Sequence, residues 1–244
     1  MATKDRMQTT AGSWALLGSV VPRDAHVVSR LREAGAVLLG HANMSEWASI
    51  RSREYSDGFS PRGGQTRNPF DLAMSPLGSS GGSAVAVSAN IVPLTFGTET
   101  DTSIIGPGMV AGVVGIKPTV GLTSRSGVIP ISRHMDSVGP FGRTVADAVH
   151  GLNVIVGVDE RDPFTCVPER PDSLNYLSFI TDRGSLEGAV FGIPMKRCWD
   201  LVPESHKVVA TNVLDAMKRF GATIVATEFL CAEERVREDG EWDW

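Results

Sequence analysis

The chain has 244 residues, 28 acidic and 23 basic, for a net charge of −5, and 42% of it is hydrophobic. This balance, with lysine and arginine scattered singly or in pairs, excludes an extended nucleic-acid-binding surface. No apolar run approaches the roughly 20 residues needed to span a bilayer, and no apolar stretch follows residues 1–6, so neither a membrane anchor nor a signal peptide is expected.

Residues 22–35 read as a helix: Asp24 can cap it, Val27, Val28 and Leu31 share a face, and Gly35 can stop it. Residues 36–39 follow as a short buried strand. Residues 51–77, rich in Arg, Ser, Gly and Pro without periodicity, read as loop. Residues 83–89 are small and apolar and suit a helix packed closely on a sheet. Its start behind Gly81 and Gly82 offers free N–H groups to an anion or oxyanion. Residues 91–96 form the next strand, and residues 112–119 are a compact apolar segment with Pro118 near its end. Thr144 can cap a helix running through Val145, Ala148, Val149 and Leu152 towards Gly157. Residues 159–172 read as a surface loop, and Val190–Pro194 as a strand. Residues 205–220 carry the clearest helical period, with Val208, Val209, Val213, Leu214 and Met217 on the apolar side and Gly221 as the stop. Residues 223–226 close the pattern as a strand. Alternating strands and helices imply an α/β fold layered around one sheet, in a single domain over residues 1–244.

Cys166, Cys198 and Cys231 are far apart, odd in number and form no C-x-x-C pair. They imply neither a zinc site nor a disulfide framework, and fit a reduced, cytoplasmic setting. No metal and no cofactor is implied.

Two serines stand where serine chemistry is feasible. Ser79 lies in Gly78-Ser79-Ser80-Gly81-Gly82-Ser83, a glycine-flanked loop open to unusual backbone angles. Ser103 follows Gly97-Thr98-Glu99-Thr100-Asp101-Thr102, a strand running into a tight turn. Two serines and a base supply a nucleophile, a relay and an oxyanion pocket, the parts of an acyl-transfer enzyme. No G-K-[S/T] follows the first loop, which speaks against a P-loop, and the absence of G-x-S-x-G speaks against an α/β-hydrolase. His41 and His134 are both available as base, and spacing selects neither.

The run Ser75-Pro76-Leu77-Gly78-Ser79-Ser80-Gly81-Gly82-Ser83-Ala84, with Val92-Pro93-Leu94 and Gly97-Thr98-Glu99-Thr100-Asp101-Thr102-Ser103-Ile104, closely resembles the amidase signature family. Thr9-Thr10-Ala11-Gly12-Ser13, Gly40-His41-Ala42-Asn43-Met44-Ser45-Glu46-Trp47, Gly112-Val113-Val114-Gly115-Ile116-Lys117-Pro118-Thr119 and Asp136-Ser137-Val138-Gly139-Pro140 extend the resemblance over essentially the whole chain. It implies a layered sandwich with a mixed sheet between helices, and hydrolysis of carboxamide C–N bonds by a Ser–Ser–Lys triad acting on a small-molecule amide. Ser103 matches the nucleophile, which forms an acyl-enzyme. Ser79 matches the bridging serine, preceded in the family by a cis peptide bond. Backbone N–H groups of Thr100, Asp101 and Thr102 match the oxyanion hole. A lysine acts as base only when neutral, so it must be partly desolvated among hydroxyl groups.

The resemblance also marks departures. The family's lysine lies in a Lys-Asp-Asn-like segment well ahead of the glycine that here is Gly12. Counting back reaches a position at or before Met1, so the catalytic lysine is expected to be missing. Lys4 stands too late in the pattern and reads as an exposed, charged terminal lysine. Thr102 occupies a position usually held by glycine, where a β-branched residue is restricted. Gly106 and Gly108 replace other small residues, which implies a mobile loop after Ser103. Family members are much longer, so the fold is expected to be truncated, with an exposed edge that invites self-association or a partner subunit. Three readings stand: an amidase, impaired in this chain; a non-catalytic binding or assembly protein that retains the fold; and an amidotransferase A-type subunit.

Overall fold

The apolar spacing of Val27, Val28 and Leu31 becomes the buried face of α1 (His26–Glu33) in the computed structural model, which describes residues 1–167, 175–196 and 198–230. Asp24 does not cap this helix. Its carboxylate accepts instead from the Lys4 N–H at 2.6 Å and the Arg32 guanidinium at 3.0 Å. Residues 36–39 form no strand, and Val37 and Leu39 are exposed. An extended segment becomes a strand only where a neighbour pairs with its backbone, and no described strand does so here.

Residues 51–77 are loop apart from a two-stranded ribbon, β1 (Phe59–Ser60) and β2 (Gly64–Gln65). Then come α2 (Gly81–Ser88), β3 (Leu94–Glu99), α3 (Ile105–Val110), β4 (Val114–Gly115), β5 (Ser137–Gly142) and α4 (Val145–Ile155). The sheet runs β3-β5-β4, all antiparallel, with Leu94 opposite Gly142 and Glu99 opposite Ser137. Every residue of the central strand β5 is buried. Successive side chains of a strand point to opposite faces. Val138 accordingly joins Val27, Val28, Leu31 and Ile155, while Phe141 joins Ala84, Val87, Ile104 and Ala111. Helices thus cover both faces, the layered arrangement expected. Full burial of a side chain such as Phe141 contributes roughly 1.5–3 kcal/mol. A Cβ at Gly139 would lie 1.9 Å from the Ile116 carbonyl oxygen, so only glycine fits there. Thr144 and Asp147 form the capping box that starts α4.

The loop beginning at residue 159 is not a plain surface loop: Asp159, Asp162 and Thr165 are buried. The Asp159 carboxylate accepts from Ser124 Oγ at 2.7 Å and Arg161 Nε at 2.8 Å, and Asp162 accepts from both ends of the Arg125 guanidinium at 2.8 Å. A polar loop is buried here because each carboxylate brings its own donors. Residues 168–172 lie outside the described residues. Burial pushes the Asp159 carboxyl up, but the hydrogen bonds from Arg161 and Ser124 outweigh it and hold it at about 2. The Arg125 hydrogen bond likewise holds Asp162 below the usual carboxylate range. A depressed folded-state pKa stabilises the fold above the unfolded value near 4, and that contribution is lost as pH falls towards about 2. After solvent screening, Asp159 is expected to supply about 1–2 kcal/mol. Unfolding midpoints measured between pH 5 and pH 2 should fall less steeply in Asp159→Asn than in the wild type.

The chain divides into two units, Met1–Ile180 and Thr181–Trp244. The second holds β6 (Val190–Pro194), α5 (Glu204–Arg219) and β7 (Thr223–Thr227), with β6 and β7 parallel. These are the expected strand, helix and strand, and Gly221 at φ +92° is the expected stop. On the apolar side of α5, Leu214 and Met217 are half-buried, while Val208, Val209 and Val213 are exposed. Cys231 and the terminal tryptophans lie outside the described residues.

Candidate active site

Both serines sit where a glycine-rich or small-residue turn feeds a helix. Ser79 precedes α2, and the Gly78–Ser79 peptide bond is cis, as the resemblance implied. Ser103 lies between β3 and α3. Ser80 joins the two loops: its N–H donates to the Ser103 carbonyl at 3.2 Å, and its hydroxyl donates to the Thr98 carbonyl at 3.1 Å. Ser79 is buried, and its Oγ has no hydrogen-bond partner among the described residues. A buried hydroxyl without a partner is costly unless something else engages it. Ser103 is half-buried, and its Oγ donates to the Asp101 carbonyl at 3.3 Å.

The Ser79 loop is held from behind by residues 43–45. Ser45 N–H donates to the Ser79 carbonyl at 3.0 Å, and Gly82 N–H to the Asn43 carbonyl at 3.1 Å. A Cβ on Gly78 would lie 2.4 Å from Ser45 Oγ, so any larger residue there would have to displace the Ser45 hydroxyl. The Ser103 turn is held by Glu99, a buried carboxylate at the end of β3. Its Oε2 accepts from Ile104 N–H at 2.5 Å and Ile105 N–H at 2.8 Å. Thr100 Oγ1 donates to Asp136 Oδ1 at 2.5 Å, while Asp136 Oδ2 accepts from the Ile131 and Ser132 N–H groups. Nothing in the sequence singled out Glu99, Ser80 or Ser45, because their roles depend on backbone groups that come together only in the fold.

Among the described residues, the N–H groups of Thr100, Asp101 and Thr102, and that of Ser103, donate to no protein acceptor, which leaves them free for an oxyanion. Thr102 has φ +63°, inside the left-handed region. Holding a non-glycine residue there costs on the order of 1–3 kcal/mol. The concern raised by a threonine at this position is therefore concrete: the turn adopts the backbone angle glycine takes freely.

The candidate bases lie elsewhere. His41 Nε2 is 2.7 Å from Thr3 Oγ1, and burial and the chain's amino group push its imidazole pKa down while Asp5 opposes them. His134 stacks edge-on against Phe164. Lys4 is exposed. Among the described residues no lysine or histidine hydrogen-bonds to either serine, and no cluster of three His, Cys, Asp or Glu side chains could hold a metal.

The amidase family model matches residues 1–238. The chain belongs to the amidase family. An amidase, by name, from Schizosaccharomyces pombe is 51% identical over the whole of this chain and 42% of its own length. The A-type subunit of a glutamyl-tRNA(Gln) amidotransferase from Symbiobacterium thermophilum is 41% identical over 89% of this chain and 43% of its own. The crystal structure of native peptide amidase from Stenotrophomonas maltophilia superposes with a TM-score of 0.85 at 45% identity, covering 91% of this chain and 45% of that one. This amidase-family chain thus spans less than half the length of the relatives it matches. No described helix is long and apolar enough to cross a membrane.

Proposed function

We propose that the chain carries the two-serine part of an amide-hydrolysing site. Ser103 attacks the carboxamide carbonyl and forms an acyl-enzyme as the C–N bond breaks. Ser79 relays the proton between Ser103 and the base and on to the leaving amine. The N–H groups of Thr100, Asp101 and Thr102 face the developing oxyanion, a contribution whose loss typically costs about 3–4 kcal/mol of barrier per donor. The resemblance gives the base as a lysine, and among the described residues no lysine hydrogen-bonds to either serine. One observation carries this reading: Ser79 Oγ is buried and unpartnered one residue from Ser80, which is hydrogen-bonded to the Ser103 backbone.

Covalent labelling tests it. A fluorophosphonate probe is expected to modify the wild type slowly and Ser103→Ala not at all. A chain extended by a Lys-Asp-Asn-like segment ahead of Met1 should be labelled faster, as a restored general base contributes about 10²–10⁴-fold. A correctly folded, extended chain that resists the probe would sink the proposal and favour a binding protein that keeps the fold.

The amidotransferase-type relatives, 39–44% identical, favour a second reading in which the amide is glutamine and the ammonia passes to a partner subunit. Hydrolysis of glutamine in preference to peptide amides would select it. The exposed valines of α5 support association with a second copy or a partner subunit. The spacing of the cysteines, with Cys166 and Cys198 both free, supports the cytoplasm as its setting.

A further inference from the structure

Both branches of the Thr102 side chain are engaged. The hydroxyl donates to Asp101 Oδ1 at 3.0 Å. The methyl lies over Gly106: a Cβ built on Gly106 would be 2.7 Å from Thr102 Cγ2 and 3.3 Å from Leu77 Cδ1. Gly106 is buried, and its N–H donates to the Thr102 carbonyl at 2.8 Å, closing a turn around Ser103. Leu77, itself at φ +51°, reaches the same spot from the loop that carries Ser79. Gly106 is therefore a socket filled from both serine loops, and the expectation that its lack of a side chain loosens the turn is replaced by close packing.

We infer that Thr102 is a positioning residue: its methyl, seated with Leu77 over Gly106, fixes the turn bearing Ser103 against the loop bearing Ser79. In this left-handed conformation each branch of the side chain has a partner, the hydroxyl on Asp101 Oδ1 and the methyl over Gly106. The inference rests on the reading of Ser103 as nucleophile. Thr102 and Gly106 act as a pair, and each residue requires the other.

A double-mutant cycle tests the pairing, with Thr102→Gly, Gly106→Ala and the double variant. It reads hydrogen-exchange protection of the Ile104 and Ile105 amides and the fluorophosphonate labelling rate at Ser103. In the wild-type background Gly106→Ala should lower both by about tenfold, because contacting residues couple energetically. In the Thr102→Gly background the same substitution should change neither by more than about twofold. Thr102→Val, which keeps a methyl over Gly106 but loses the hydroxyl, should lose less exchange protection of the Ile104 and Ile105 amides than Thr102→Gly does. Equal effects of Gly106→Ala in the two backgrounds, or loss of protection in Thr102→Val as large as in Thr102→Gly, would overturn the inference. If Gly106→Ala does not fold, folding of the double variant supports the pair and its failure to fold contradicts it. If Ser103 is labelled in no variant, the nucleophile reading fails, and the exchange cycle still decides the role of Thr102.

Discussion

Gly82→Ala is expected to lower the unfolding midpoint by roughly 10 °C and to abolish labelling of Ser103, because it strikes backbone that cannot move aside. A Cβ at this position would lie 2.2 Å from the Asn43 carbonyl oxygen and 2.7 Å from the Asn43 nitrogen. Flexible side chains can yield to such a contact, whereas backbone yields only by separating the elements. Asn43 is also tied down: Nδ2 donates to the Gly58 and Gly64 carbonyls and to Thr66 Oγ1, and Oδ1 accepts from Ser60. The start of α2 must therefore retreat, taking Ser79 from the Ser45 N–H that holds its carbonyl. Overpacking costs about 1–3 kcal/mol where side chains can adjust, so a backbone clash belongs at or above the top of that range. Gly40→Ala is the control, since its Cβ would meet nothing nearer than Met7 Sδ at 4.0 Å. Thermal unfolding followed by circular dichroism decides the matter. A midpoint within about 3 °C of wild type, with labelling retained, would show that the junction at Asn43 is softer than argued.

Helices α1, α2, α4 and α5 were legible because they depend on local information, whereas α3 stands where the sequence suggested a mobile loop after Ser103. Val27, Val28 and Leu31 repeat at helical spacing, Thr144 announces a capping box, and Gly221 stops α5. The strand β5 was not legible, although every residue in it is buried and the sheet is built on it. Gly139, Pro140 and Gly142 break the alternation that marks a strand, and both glycines are there because other backbone comes close. Gly139 clears the Ile116 carbonyl and Gly142 clears the start of α4. The opposite error occurred at residues 36–39, where apolar residues suggested a strand but no partner backbone lies alongside among the described residues. Burial of the loop from residue 159 was hidden in the same way, since Arg125 and Ser124 approach it only in the fold. At the candidate site the sequence pointed to the two serines and to the awkwardness of Thr102. It was silent on Glu99, whose ligands are N–H groups of the chain itself, a type of contact that residue identity does not encode.

Glu99→Ala is expected to destabilise the fold by about 3 kcal/mol and to slow labelling of Ser103 by more than tenfold. The carboxylate is buried, and its Oε2 is the acceptor for both the Ile104 and the Ile105 N–H. These are the first two amides after Ser103, at the entry to α3, where helix N–H groups have no intrahelical partner. Removing the carboxylate strands both donors, one of them fully buried, at about 1–3 kcal/mol for each unsatisfied group. It also removes negative charge from a helix N-terminus. Glu99→Gln keeps an acceptor oxygen of the same reach and should recover most of the loss, leaving roughly 1 kcal/mol for the charge. The pair of substitutions separates packing from positioning. If Glu99 only fills space, Gln and Ala should differ in denaturant midpoint but label Ser103 at the same rate per folded molecule. If it aims the turn, labelling should follow the acceptor and return with Gln. Equal labelling in wild type, Gln and Ala variants would show that the Ser103 turn holds its shape without Glu99, leaving Ser80 and the Thr102–Gly106 contact as its supports.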